Sequence, residues 1–348
     1  MHLVQFEIPQ LGRRVGLLRE DLVHDLTSRH PDWKRVTDLF NAAQVQGVTL
    51  ARFLDELSRS RPPQTFSYPE LCGNSNLSAG PVLRAPIDHA DPHRVLVTGT
   101  GLTHLGSMQS RDQMHAKLAT EDEAQMSDSR KMFLMGLREG RPAEGTRGVA
   151  PEWFYKGNGS IIRGPRDFLD IPEFAWDGGE EPELVGCYII DSKGNPRRLG
   201  FTLSNEWSDH ATETVNYLYL APSKLRTCSF GPELVTNHDF QHIEIRCTVT
   251  RGSETLYDSG VMLSGEQHMT HTLANLEDHH FKYPQHRIPG DIHLYFFGTS
   301  QLSFSTRKWK YETGDEIRIE APGFCAPLIN TVRSTRRDNN PPLTVQPA

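Results

Sequence analysis

Apolar and polar positions alternate in short runs along most of this chain, interrupted by Gly, Pro, Asn and Asp. "HLVQFEI" and "RRVGLLREDLVHDLT" read as short strands joined by a turn, because strand side chains two apart share a face. From Val36 to Leu57 the period lengthens. Val36, Leu39, Phe40 and Ala43 form one set at helical spacing, and Leu50, Phe53, Leu54 and Leu57 form a second, which predicts two helices divided at Gly47. Proline and serine then punctuate "SRSRPPQTFSYPELCGNSNLSAGPVLRAP", a linker or wrapping segment. "RVLVTGTG" predicts a buried strand meeting a glycine turn, and "SRDQMHAKLATEDEAQMSDSRKMFLMGLREG" predicts a helix. Next come "GSIIRGP", "ELVGCYIID", "LGFTLSNE", "IEIRCTVTRGSETLYDSG" (a hairpin around Gly252), "DIHLYFFGT" and "DEIRIEAPG". This many short strands between turn residues predicts a β-rich α+β chain built as a sandwich or barrel.

Composition narrows the picture little but usefully. The 348 residues carry a formal charge of -7 without a basic stripe, which argues against nucleic acid as the main partner. No apolar run approaches the roughly 18 residues of a membrane span, and "MHLVQFEIPQLGRRVG" lacks a signal-peptide core. The five cysteines are scattered with no CxxC pair, so neither a zinc knuckle nor a disulfide framework is signalled, and a cytoplasmic location is expected. "VLVTGTGLTHLG" has two glycines of a dinucleotide fingerprint, but His104 stands where the third belongs and no βαβ alternation follows.

The stretch "AWDGGEEPELVGCYII" poses a chemical question. Glu181 and Glu183 flank one proline where an apolar run begins, and in a strand both point the same way. Burying two like charges without a cation costs several kcal/mol per ion. Either they lie at a solvated strand end or a positive ion holds them. Downstream, "GFTLSNEWSDH" brings Glu206 to the end of another apolar strand. Three glutamates at neighbouring strand ends make an all-oxygen site suited to Mg²⁺ or Mn²⁺. His104, at the glycine turn, and His115, on the helix after Arg111, are candidate proton carriers. Lys224 in "SKLRTCSFGPELV" could hold a substrate carboxylate or an enolate, and Gly298 and Thr299 in "FFGTS" could face a ligand. The histidines of "LEDHHFKYPQHR" read as loop residues.

In their order these pieces resemble the fumarylacetoacetate hydrolase superfamily. "EPELVG" is similar to its ExE metal motif, and "GFTLSNEWSDH" to its "GYTIANDVSDR" element, with Glu206 where the family has aspartate. "GDIHLYFFGTS" is similar to "GDVILTGTP", and "TGDEIRIEAPGFCAPLINTV" to the closing segment. "PEWFYKGNGSIIRGPRDFLDIPE" looks like the family's segment before the metal pair, with Phe154 and Lys156 in familiar places. The resemblance implies a mixed β-roll catalytic domain over 86–332 and a small N-terminal α/β domain with linker over 1–85. The polar tail, 333–348, is expected to be disordered. It further implies Glu181, Glu183 and Glu206 as ligands of Mg²⁺ (or Mn²⁺), Lys224 with His104 or His115 as catalytic groups, Arg111, Gly298 and Thr299 as substrate-binding groups, and a homodimer or higher homo-oligomer.

Two departures bear on chemistry. Ser107 stands where many members have the glutamate of a His–Glu pair that activates water, and Ser300 replaces the proline of "GTP". The weakened water-activating pair, with a resemblance to the sugar-acid branch of the superfamily, implies a lyase that dehydrates a 2-keto-3-deoxy sugar acid (a pentonate) through an enolate. The alternatives are hydrolysis of the C3–C4 bond of a 2,4-diketo acid, decarboxylation of an oxaloacetate-like acid, and an inactive sugar-acid-binding member.

Overall fold

The computed structural model describes residues 1–60, 64–107, 126–335 and 341–348. Arg111, His115 and the first half of the helix expected after the glycine turn lie outside the described residues.

The period-2 segments pair into two mixed sheets. The larger has the strand order β4-β3-β2-β1-β13-β11-β10-β17-β6-β7. Here β1 is His2–Ile8, β2 Gly12–Arg19, β3 Leu22–Asp25, β4 Thr65–Ser67, β6 Val95–Gly99, β7 Phe154–Asn158, β10 Pro182–Ile190, β11 Pro196–Asn205, β13 Leu234–Val235 and β17 Ile292–Phe296. Short β5 (Val82–Arg84), β8 (Ile162–Arg163) and β12 (Cys228–Phe230) attach to it at the side. The smaller sheet runs β15-β14-β18-β19-β9, with β9 Phe168–Ile171, β14 Ile243–Arg251, β15 Glu254–Asp258, β18 Glu316–Glu320 and β19 Leu328–Ser334, and β16 (Met262–Ser264) beside β14. The β14–β15 hairpin turns around Gly252 (φ 58°), as its sequence predicts.

Strand β10 sits between two cores. Leu184, Tyr188 and Ile190 pack toward the smaller sheet with Ile245, Val249, Ile317 and Leu328. Val185, Cys187 and Ile189 face the opposite way, into a core shared with α1 (Val36–Val45) and α2 (Leu50–Ser58). A strand covered on both faces must be apolar on both, hence the continuous run "LVGCYII". The two helices part at Gly47, whose φ of 69° favours glycine, and Thr49 caps the second by accepting from Arg52 N.

Three sequence expectations change. Residues 1–85 are continuous with the main sheet, since β1 pairs with β13 (His2↔Val235). The tail begins later than 333, because β19 runs to Ser334 in parallel with β9; 341–348 is exposed and lacks regular structure. "LEDHH" is helical rather than loop: Thr272 caps a helix over Leu273–Phe281, His280 is buried against His293 and Tyr295 of β17, and His279 is buried beside Gly148 O. The cap and the apolar Leu273, Leu276 and Phe281 outweigh the polar run that had suggested a loop.

Candidate active site

The β10–β11 pair assembles the acids. These strands run antiparallel with Pro182 opposite Asn205 and Glu183 opposite Ser204, and one step further Glu206 N donates to Glu181 O at 3.0 Å. Glu181 and Glu206 are therefore directly across from each other, and Glu183 lies two residues along the same face. One ligand atom from each of the three carboxylates falls within 4.8 Å of the others, and all three side chains are buried.

Two buried lysines offset part of this charge. Lys224 Nζ donates to Glu181 Oε1 at 2.5 Å and to Glu206 Oε2 at 2.8 Å. Lys156 Nζ reaches Glu206 Oε1 at 2.8 Å, Trp207 O at 2.6 Å and Lys224 O at 3.0 Å. His210 Nε2 lies 2.9 Å from Glu181 Oε1. Burial works against the Glu181 charge, but Lys224 and His210 hold its carboxyl well below the usual range. Glu206 is pushed up by burial and by Glu181, against the pull of Lys156 and Lys224. Burial also opposes the Lys224 charge, but Glu181 and Glu206 prevail and raise its pKa.

Glu183 is different. Its Oε2 accepts from Gly298 N at 2.8 Å, while its Oε1 is buried with no hydrogen-bond partner. Burial, then the charges of Glu206 and Glu181, raise its carboxyl well above the ordinary value. The set thus reads as three buried acids facing two lysines, with one acid, Glu183, outside the hydrogen bonds of both lysines and carrying an orphaned oxygen. An all-oxygen donor set with an unsatisfied buried oxygen fits a hard divalent cation, which would favour the ionised form of Glu183.

A cavity opens beside this cluster, lined among others by Glu152, Glu181, His210, Lys224, Gly298 and Thr299, with Glu183 and Glu206 outside its lining. Gly298 has φ 90°, and a Cβ there would meet Thr103 Oγ1 at 2.7 Å and Thr100 O at 3.0 Å, so the turn that offers its N–H to Glu183 requires glycine. Thr299 Oγ1 donates to Pro182 O and Gln301 O. The rest of that loop is pinned by Glu180, fully buried, which accepts from Ser303 N (2.6 Å), Ser303 Oγ (2.8 Å) and Tyr311 OH (2.6 Å).

The structure places His104 behind this wall. Its Nε2 lies 2.9 Å from Ser264 Oγ and its Nδ1 3.3 Å from Thr103 Oγ1, and burial pushes its pKa down to about 3. It does not line the cavity. Ser107, which replaces the expected glutamate, does. Sequence reasoning missed Glu152, His210 and the pairing role of Lys156. Glu152 accepts from Tyr217 OH, and its carboxylate packs so tightly on Gly101 that a Cβ there would collide with it. The signal for His210 was present in the end of "NEWSDH", whose Asp209 caps the helix His210–Val215 and so fixes the ring's position.

Known proteins frame this arrangement. No family model matches the chain. Solved structures share its fold: a 2-keto-3-deoxy-D-arabinonate dehydratase in apo form superposes with a TM-score of 0.68 at 18% identity, over 97% of this chain and 100% of that one. A maleylpyruvate hydrolase from a Sphingobium follows the fold at TM-score 0.55 and 13% identity, over 96% of this chain and 100% of that one. The chain therefore has the fold of the fumarylacetoacetate hydrolase superfamily, as its motifs imply. Within that class, it is similar to the 2-dehydro-3-deoxy-D-arabinonate dehydratase of Saccharolobus solfataricus, 28% identical over 118 residues. That match spans 32% of this chain and 38% of the relative's length. A solved 2-keto-3-deoxy-D-arabinonate dehydratase complexed with magnesium and 2,5-dioxopentanoate also superposes, with a TM-score of 0.68 at 17% identity over 97% of this chain and 100% of that one.

Proposed function

We propose that the chain is a divalent-metal-dependent hydro-lyase that dehydrates a 2-keto-3-deoxy sugar acid, a pentonate by its similarity to the arabinonate dehydratase. The observation that carries this reading is the buried Glu181–Glu183–Glu206 cluster, with its orphaned Glu183 oxygen, which meets through Glu181 a cavity that also presents Lys224. A Mg²⁺ or Mn²⁺ bound there would supply Lewis acidity toward a 2-keto oxygen.

The protein's own groups divide the remaining work. With a divalent cation held and Glu183 ionised, the three carboxylates of the cluster, its two lysines and the cation would sum to one positive charge, while Glu152 and Glu213 place negative charge on the cavity wall. The carboxylate of a 2-keto acid would be drawn to the side of the cavity that holds the cation and Lys224. The Lys224 ammonium, locked between Glu181 and Glu206, is fixed and permanently charged, suited to stabilise negative charge developing on the enolate oxygen. Glu152 and Glu213 are the carboxylates on the cavity wall outside the acid cluster, and we assign the C3 proton to Glu152, which its Tyr217 hydrogen bond orients. Glu152 takes the C3 proton and returns it to the C4 hydroxyl, which leaves as water to give the dehydrated acid. His104 is buried behind Gly298 and poorly protonated at neutral pH, so it serves the wall instead of the proton transfer.

The test is incubation of metal-loaded protein with 2-keto-3-deoxypentonates and 2,4-diketo acids, reading products by mass. A product lighter by one water and dependent on Mg²⁺ or Mn²⁺ supports the reading. Pyruvate plus a second acid from the diketo substrate would make it a C–C hydrolase, and silence on both would leave a binding protein.

A further inference from the structure

A second cluster of metal-ligand types lies apart from the acid cavity, where β1, β13 and the loop between β18 and β19 meet. His2 begins β1, Glu233 immediately precedes β13, and Cys325 lies on the loop. His2 Nδ1 is 3.6 Å from Cys325 Sγ and 3.6 Å from Glu233 Oε1, and the three ligand atoms all fall within 4.8 Å of one another. Ligands at the corners of a tetrahedron around zinc, with bonds of about 2.0–2.1 Å to nitrogen and about 2.3 Å to sulfur, stand about 3.6 Å apart. The nitrogen–sulfur edge here has that length.

Electrostatics supply an independent argument. Glu233 is completely buried, yet among the described residues its ion pair is with His2 alone; no lysine or arginine meets it. A buried carboxylate without a cation is costly. Its oxygens are held by hydrogen bonds from Tyr68 OH to Oε2 and from Cys325 N to Oε1, which fix the carboxylate toward the cluster as outer-shell partners fix metal ligands. Cys325 is exposed and also lines a surface groove, so an ion can reach it.

We infer that His2, Glu233 and Cys325 form a three-ligand site for a borderline-soft divalent cation of the zinc class, with water as the fourth ligand. The thiolate and imidazole separate this site chemically from the all-oxygen acid cluster, which prefers hard ions. Occupation ties the first strand to the β18–β19 loop and gives Glu233 a divalent partner where the described residues offer it His2 alone. Coordination replaces the Cys325 thiol proton, so affinity rises with pH.

Titration of tag-free protein with Co²⁺ tests this, because a cobalt–thiolate bond gives a near-ultraviolet charge-transfer band that oxygen ligands do not. One equivalent of cobalt at the His–Glu–Cys site should produce the band, and Zn²⁺ should abolish it by displacement. Cys325→Ser should remove the band, and His2→Asn should weaken cobalt affinity by about 100-fold or more, beyond the 10–100-fold typical of outer-shell changes. Glu183→Gln, in the other cluster, should leave the band intact. A Zn²⁺-induced rise in melting temperature, present in wild type and absent in Cys325→Ser, gives a second readout that does not depend on colour. No band in wild type, or a band that persists in Cys325→Ser, overturns the site.

Discussion

Replacing Lys156 by methionine probes the charge balance of the acid cluster more sharply than removing an acid. The side chain is wholly buried and its ammonium makes three contacts, to Glu206 Oε1, Trp207 O and Lys224 O. Methionine preserves most of the volume, so packing changes little. What is lost is one of the two cations facing Glu181 and Glu206, leaving Lys224 shared between two carboxylates. Breaking a buried pair by removing one partner costs about 3–5 kcal/mol. With an unfolding entropy of about 2.1 cal/mol/K per residue, a chain of this length loses about 0.7 kcal/mol of stability per degree at its midpoint, so a cost of about 4 kcal/mol lowers Tm by about 5–6 °C. Scanning calorimetry of the metal-free protein reads this directly. Added Mg²⁺ should recover more of the loss in the variant than it adds to wild type, because the ion replaces the missing charge. In the double variant with Glu206→Gln the two losses should sum to more than the measured loss, since the second change removes the charge the first one strands. A Tm within a degree of wild type, or strict additivity of the two changes, would refute the charge-balance argument.

Other expectations are more direct. Glu183→Ala should weaken Mg²⁺ or Mn²⁺ binding at least tenfold by calorimetric titration; unchanged affinity would remove the carboxylate cluster as the metal site. Lys224→Ala should retain metal but cost about 10²–10³ in kcat, the magnitude of losing one preorganised charge-stabilising donor, and equal turnover would exclude it from the chemistry. Acid should destabilise the fold through its buried neutral histidines. Burial holds His104 and His293 down at about 3 and His271 at about 4, below their unfolded value near 6.5. The unfolded chain therefore binds more protons between these values, and stability falls as pH drops through 6.5 toward 3. For His104 the loss from pH 6.5 to 5 is about 2 kcal/mol, and a His104→Gln variant should show a correspondingly flatter acid limb in urea titrations. Gly298→Ala should impair metal binding without touching a carboxylate, because the turn that presents its N–H to Glu183 cannot accept a Cβ; preserved affinity would show that this N–H does not orient the acid.

The acid cluster was legible in sequence because its logic is local. Glu181 and Glu183 obey strand alternation, and Glu206 sits at the end of the next apolar strand, so one antiparallel pairing suffices to unite them. Most strands were legible for the same reason. What sequence could not show is what depends on distant pairing. Lys156 lies 50 residues from Glu206 and is brought to it by the β6–β7 edge of the sheet. Glu152 gains its place from a contact with Gly101, and β19 from parallel pairing with β9, none of which leaves a periodic trace. His104 misled for a related reason: a histidine at a glycine turn after a strand can face either side of that turn, and here Gly298 separates it from the cavity.

Strand β10 carries Glu183, with Glu181 immediately before it, on a segment clamped between both cores, whereas the remaining cavity wall comes from the loops around Gly101 and Thr299 and from the short helices that bear Glu213 and Lys224. The two parts are therefore free to diverge at different rates. A change on β10 disturbs two packed interiors at once, so descendants of this chain inherit the acid pair nearly unaltered. A change in a loop disturbs only the chamber above it. New substrates in this lineage should arise by exchanging loop residues over an unvarying floor, and a directed-evolution library confined to those loops samples new specificities while sparing the fold.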